Sequence, residues 1–302
     1  MASRDTPPEG ATLRDWIEFT TRRLSSSKLV FGHGTSNARD EAVWLMAHAS
    51  GLGFEKLDRA ADRPLPTAAA RSALRVLRSR IATRKPLAYV LKEAWLAGER
   101  FYVDERVLVP RSFIAELLPT ALDPWLGRRA PARILDLCTG SACLAILAAK
   151  RFAAKVDAAD ISAAALVIAR RNIDGHRLRS RVTPVRSDLF KGLGNSAYDL
   201  IVTNPPYVRE AAMQRLPAEY RHEPALALAA GRDGLDLVVK ILQTAAHHLS
   251  ARGVLVAEIG HNRAALERRV RGLGMTWLST SEGEDIVLLA TREQLLQGMK
   301  SV

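Results

Sequence analysis

The chain has 302 residues, 44 Lys plus Arg against 32 Asp plus Glu, a net charge of +12 and 48% hydrophobic residues. That length predicts one large domain with a smaller companion, no apolar run reaches the ~20 residues of a membrane-spanning helix, and the opening MASRDTPPEG holds no secretory apolar segment. Cys138 and Cys143 stand in no zinc or Cys-x-x-Cys spacing, so they read as reduced thiols of a cytoplasmic protein, and the His residues form no ligand pattern, so no metal is expected. The arginine excess fits either contact with a polyanion such as ribosomal RNA or a bias of genome composition; residues 71–85 and 170–181 are the basic stretches.

Along the chain, residues 1–93 read as a small helical bundle. TLRDWIEFTTRRL has helical apolar spacing, with Thr12 as N-cap and Asp15 three residues on. RDEAVWLMAHASGL follows, with Gly51 as its stop, and Pro66-Thr67 opens a third helix. Residues 94–110 change period: β-rich runs broken at Ala97-Gly98-Glu99, a hairpin signal, and ended by Pro110 predict a β connector. From 111 to 302 strands and helices alternate. ARILDLC, KVDAADI, RVTPVRSDLF, YDLIVTNPPYV and GVLVAEIG are predicted strands; GLDLVVKILQTAAHHLS, with His247 and His248 near its end and Gly253 beyond it, is a predicted helix. MTWLST and DIVLLAT, joined by SEGE, close the series as an antiparallel pair. The order predicts an α/β doubly wound sheet, mostly parallel with a C-terminal antiparallel hairpin, whose ligands sit beyond the carboxyl ends of the strands.

Those strand ends carry chemistry. The first ends in LDLCTGSACLAI, a glycine loop opening a helix. A dinucleotide loop needs Gly-x-Gly-x-x-Gly; here only Gly140 is present, which argues against a nicotinamide oxidoreductase. Asp136 beside the loop repels a pyrophosphate and suits a cation. The second strand ends at Asp160, placed to accept from both hydroxyls of a ribose; the third ends in SDLF, where Asp188 suits an exocyclic amine and the Leu189 amide a ring nitrogen. Each aspartate alone also reads as a helix cap or turn residue. Together they describe S-adenosylmethionine, with Asp136, Thr139, Gly140, Asp160, Ile161, Asp188, Leu189 and Asn204 as the candidate cofactor set and the class I S-adenosylmethionine-dependent methyltransferase fold as its frame.

In order, DLCTGSAC, AADIS, SDLF, TNPPY and EPALALAAGRDGLDL resemble the glutamine methyltransferases that modify ribosomal proteins and release factors, and FYVDERVLVPRSFIAEL resembles the branch acting on the third protein of the large ribosomal subunit. The likeness covers about residues 85–290. Two positions depart from it: Ala142 stands where the family usually has Gly, where its methyl either crowds the cofactor loop or is tolerated, and Phe113 where that branch usually has Pro. The resemblance implies methyl transfer to a glutamine amide; the helical bundle and the connector are expected to grip the target protein.

TNPPY then acquires a role. Neither proline has an N–H for a ladder, and Asn204, preceding a proline, is held extended. An amide nitrogen is a poor nucleophile. Holding it in line with the methyl group and placing acceptors on its N–H groups both help: the Asn204 side-chain oxygen, the Pro205 carbonyl, and the Tyr207 ring packed on the amide. Asn204, Pro205, Pro206, Tyr207 and Arg111 form the candidate substrate set. Arg111 and Glu116 either touch the substrate or pair with each other, and Glu223 has no assigned part. The alternatives are methylation of a peptide chain release factor, adenine-N6 methylation of nucleic acid, and a non-catalytic ribosome-binding protein on this scaffold.

Overall fold

In the computed structural model, which describes residues 6–127 and 130–298, the chain forms two compact units. One runs to Ala94 and takes in Pro217–His222; the other comprises Trp95–Leu216 and the chain from Glu223 onward.

The first unit is helical: Leu13–Ser26, Ala38–Ser50, Phe54–Ala60, Thr67–Thr83 and Leu87–Leu91. Thr12 and Asp15 cap the first helix reciprocally: the Thr12 hydroxyl accepts from the Asp15 amide at 3.2 Å and the Asp15 carboxylate from the Thr12 amide at 2.8 Å, which satisfies two of the amides a helix start leaves unbonded. Gly51, with φ 69°, ends the second. Arg80, in the basic stretch 71–85, is interior: it is 1% exposed and donates to the buried Glu41 at 2.7 Å. Pro217–His222 brings in Glu219, also buried, which accepts from the Val30 amide at 3.1 Å and pairs with Arg84 at 2.6 Å. Nothing in the sequence pattern announced that a segment so far along the chain belongs here.

The second unit opens within the expected hairpin, β1 (Ala94–Leu96) and β2 (Glu99–Phe101). Ala97 (φ 49°) and Gly98 (φ 76°) both take the left-handed conformation that a tight two-residue turn requires. The β character expected through VLVP does not follow: after Phe101 the connector forms no strand. Its amides bond to side chains instead, Tyr102 to Asn172 at 2.7 Å and Val109 to Glu223 at 3.0 Å.

Seven strands follow: β3 (Arg133–Leu137), β4 (Lys155–Asp160), β5 (Val182–Arg186), β6 (Tyr198–Thr203), β7 (Leu249–Glu258), β8 (Thr276–Thr280) and β9 (Gly283–Thr291). They lie in the order β5-β4-β3-β6-β7-β9-β8, parallel from β5 to β7, with β9 antiparallel to both β7 and β8. Pro184, which has no N–H, sits on the edge strand β5, where it costs least. Side chains alternate between two cores: Ile134, Leu200, Val202 and Val256 face the helices Cys143–Phe152 and Ala163–Gly175, while Leu135, Ile201, Leu255 and Ala257 face Asp236–Ala245 and Arg263–Arg269. Continuous apolar runs are what a sheet covered on both faces needs.

One helix is shorter than expected. It ends at Ala245, not near Ser250, because β7 begins at Leu249. Gly253 is therefore no helix stop; it lies within β7, where an added Cβ would stand 2.6 Å from the Tyr198 carbonyl oxygen. His248, off the helix, stacks on Phe190 with ring centres 4.7 Å apart.

Candidate active site

The sheet register assembles the site. Val185, Ala159, Leu137, Thr203 and Ala257 form one row across β5, β4, β3, β6 and β7. The next residues along the inner strands are Asp160, Cys138, Asn204 and Glu258. The chain runs from β3 toward β4 on one side of the sheet and later adds β6 on the other, so the crevice opens between the β3 and β6 ends, as in other doubly wound sheets.

The loop after β3 is wound tightly, with Cys138, Gly140 and Ala142 at φ 62°, 55° and 64°. A Cβ at Gly140 would meet nothing within 4 Å, so this backbone borders open space. Its amide donates to Asp160 at 2.8 Å, and Asp160 accepts from the Ser162 amide at 2.8 Å as well. Burial nevertheless raises the Asp160 carboxyl above its ordinary range. Ala142 is fully buried in the core at the start of the helix that it opens.

Gly140, Asp160, Ile161, Asp188, Leu189 and Asn204 line one cavity, together with Pro206. Leu108, Pro224 and Leu226 line it as well. Ile161 and Leu226 are 47% and 61% exposed, large apolar side chains left open at one cleft. Asp188 is half exposed and pairs with Lys191 at 2.6 Å. Asp136, in β3, and Thr139, in the loop, do not line that cavity. Asp136 is 1% exposed and accepts from the Thr139 hydroxyl at 2.5 Å and the Ala145 amide at 2.9 Å, and burial pushes its pKa up to about 7. The same burial raises both cysteine thiols, Cys143 to about 12, so they stay protonated.

On the β6 side, the Asn204 carboxamide nitrogen donates to the Arg111 carbonyl at 3.3 Å. That bond uses one of the nitrogen's two N–H groups and turns the oxygen away from the Arg111 carbonyl. Tyr207 is confined: a Cβ at Gly260 would stand 2.8 Å from its ring, and its hydroxyl lies 3.4 Å from Glu258. Arg111 forks Glu223 with two bonds of 2.6 Å, while Glu116 accepts from the Ser281 amide at 2.7 Å. Glu258, 1% exposed, accepts from the Ser112 hydroxyl at 2.7 Å and the Phe113 amide at 2.9 Å, and burial raises its carboxyl pKa.

Sequence reasoning missed Glu223 and Glu258 as parts of the site. Glu258 was within reach, since it is a carboxylate at a strand end like Asp160; Glu223 stands in the EPALAL segment with no local cue. The basic stretch 170–181 is largely engaged within the protein: Arg171 lies over the Tyr102 ring at 3.4 Å, Arg179 pairs with Asp174, and Arg181 donates to the Ala149 carbonyl at 2.8 Å. Among the described residues no group of three or more His, Cys, Asp or Glu is placed to hold a metal ion, and no helix is long and apolar enough to cross a membrane.

This sheet order, with a glycine loop after β3 and an acid at the end of β4, is that of the class I S-adenosylmethionine-dependent methyltransferase fold. The family model described as the methyltransferase small domain matches residues 115–220, and that described as the PrmC N-terminal domain matches residues 15–91. The chain is 51% identical over 289 residues to a Bordetella pertussis protein named ribosomal protein uL3 glutamine methyltransferase, covering 94% of this chain and 96% of that one. A Neisseria gonorrhoeae protein of the same name is 47% identical over 290 residues, 95% of this chain and 97% of that one. In fold, the chain is similar to the hMettl16 catalytic domain solved with the MAT2A 3'UTR hairpin 6, with a TM-score of 0.51 and 17% identity over 74% of this chain and 81% of that one. The chain belongs to the family of ribosomal protein uL3 glutamine methyltransferases.

Proposed function

We propose that this protein transfers the methyl group of S-adenosylmethionine to the side-chain amide nitrogen of one glutamine in ribosomal protein uL3. The observation that carries this reading is the Asn204 carboxamide at the end of β6, its nitrogen held by the Arg111 carbonyl and its oxygen left for another donor. The near full-length likeness to proteins named for that activity supports the choice of target.

The residues suit the cofactor. Asp160 keeps an apolar-walled carboxylate at the second strand end, which favours hydroxyl donors such as those of a ribose. Ile161 and Leu226 offer apolar faces for an adenine, with Asp188 for its amino group and the Leu189 amide for a ring nitrogen. Asp136, buried, holds the loop through the Thr139 hydroxyl, and that loop is assigned the amino-acid end of the cofactor. The cofactor supplies an electrophilic methyl group; everything else falls to the chain.

The Asn204 oxygen and the Pro205 carbonyl accept the two N–H groups of the glutamine amide and hold its nitrogen in one orientation. Both acceptors also stabilise the positive charge that grows on that nitrogen. Pro206 fixes the backbone between them, and the Tyr207 ring packs on the amide. A tuned base is unnecessary, since the proton leaves after transfer. The helical unit and the connector are assigned the grip on uL3, in the cytoplasm where ribosomal proteins are made.

The test offers purified uL3, a release factor and adenine-containing DNA side by side with labelled S-adenosylmethionine, then maps the product by mass spectrometry. A methyl on a uL3 glutamine is the expected result. A methyl on the release factor moves the target, label on adenine overturns the substrate class, and cofactor binding with no transfer to any of them points to a non-catalytic scaffold.

A further inference from the structure

Residues 106–113 run along the site without belonging to any strand or helix. A segment with no ladder needs other anchors to hold a carbonyl in place. Here two buried carboxylates from distant parts of the chain provide them. Glu223 accepts from the Val109 amide at 3.0 Å and from both prongs of the Arg111 guanidinium at 2.6 Å. Glu258 accepts from the Ser112 hydroxyl and the Phe113 amide. The Arg111 carbonyl lies between these two anchorages, and it is the group to which the Asn204 nitrogen donates.

That bond has a consequence for chemistry. A carboxamide turned by half a rotation about its last torsion has nearly the same shape, with its donor and acceptor exchanged. In one orientation Asn204 offers the cavity an oxygen; in the other it offers N–H groups, which repel those of a substrate amide. Neither carboxylate readily lets go of its donors, because an unpartnered buried charge costs several kcal/mol.

We infer that Glu223 and Glu258 are positioning residues for methyl transfer: together they hold the 109–113 main chain so that the Arg111 carbonyl fixes the Asn204 carboxamide with its oxygen toward the substrate. The inference rests on the proposed role of Asn204 and deepens it. Arg111 thereby acts through its own carbonyl and through Glu223, not as a hand on the substrate.

The test measures single-turnover methyl transfer to purified uL3, KM for uL3, cofactor affinity by calorimetry and melting temperature. The variants are Glu223→Gln and Glu258→Gln, each alone and combined with Asn204→Ala. With no carboxamide at position 204 the Arg111 carbonyl has nothing to orient. Each Gln variant is expected to slow transfer about tenfold with KM and cofactor affinity within about twofold, and to cost under about twofold once Asn204→Ala is present. Equal losses in both backgrounds would reduce the two carboxylates to general support of the fold and overturn the inference. Each glutamate is read separately, so a variant that melts below the assay temperature leaves the other to decide. A wild-type protein inactive on uL3 would instead strike at the proposed function, which separates the two failures.

Discussion

The two sides of the crevice are built differently. On the side proposed for the cofactor, partners are close in sequence: Asp136 holds Thr139 and Ala145, three and nine residues on, and Asp160 holds Gly140 and Ser162. On the transfer side, Asn204 leans on Arg111, Arg111 on Glu223 and Ser112 on Glu258, across 93, 112 and 146 residues. A local loop shapes itself as its strand and helix form. The transfer side exists only after the sheet has brought β6, β7 and the connector together. Damage on the first side is therefore expected to show in cofactor binding, and damage on the second in rate.

The strongest challenge to that division is Asn204→Ala. Loss of an acceptor at the reacting nitrogen is expected to slow transfer by about 10³-fold, with cofactor affinity nearly unchanged in calorimetry; a loss of affinity comparable to the loss of rate would merge the two sides. Asp160→Ala should do the reverse. Removing the carboxylate that serves a ribose weakens cofactor binding by roughly 1.5–3 kcal/mol, the range for hydrogen bonds to charged groups, and affinity left intact would withdraw the ribose assignment.

A smaller effect concerns Asp136. Unfolded, its carboxyl titrates near the ordinary 3.8; folded, burial carries it to about 7. The folded state thus holds a proton that the unfolded chain gives up, so stability contributed below pH ~4 is lost as pH rises through about 7. Three units set a ceiling of about 4 kcal/mol. Denaturant unfolding of the cofactor-free protein at pH 5 and pH 7.5 should show the decline, and Asp136→Asn should flatten it; an unchanged slope in that variant would assign the dependence elsewhere. The smallest effect is that of Ala142→Gly. Relief of a left-handed backbone offsets the loss of a buried methyl, so stability should shift by no more than about 1 kcal/mol, and cofactor affinity should not move. Tighter cofactor binding in the glycine variant would show that the Ala142 methyl crowds the loop.

The same contrast explains what the sequence made legible. The helix caps at Thr12 and Gly51, the turn at Ala97-Gly98 and the run of parallel strands are local signals, and they were readable. So was the place of Asp160 and Asp188 at one cavity, because an acid at or just beyond a strand end is visible one residue at a time. Long-range partners left no trace of this kind. Glu223 follows a turn with no periodic neighbour, and Pro217–His222 joins the helical unit from far down the chain. VLVP has the composition of a strand but finds no strand to pair with, and the helix toward Ser250 yields its last turn to β7, whose apolar residues have the sheet to fill. In each case a tertiary contact outweighed local preference.

The most direct measurement is the mass of uL3 from cells lacking this protein, then supplied with the wild type or with Asn204→Ala. The account predicts one glutamine without its methyl group in the deletion strain, restored by the wild type and not by the variant, although the variant binds cofactor. A fully methylated uL3 in the deletion strain would contradict the assigned target, and methylation restored by Asn204→Ala would contradict the assigned chemistry.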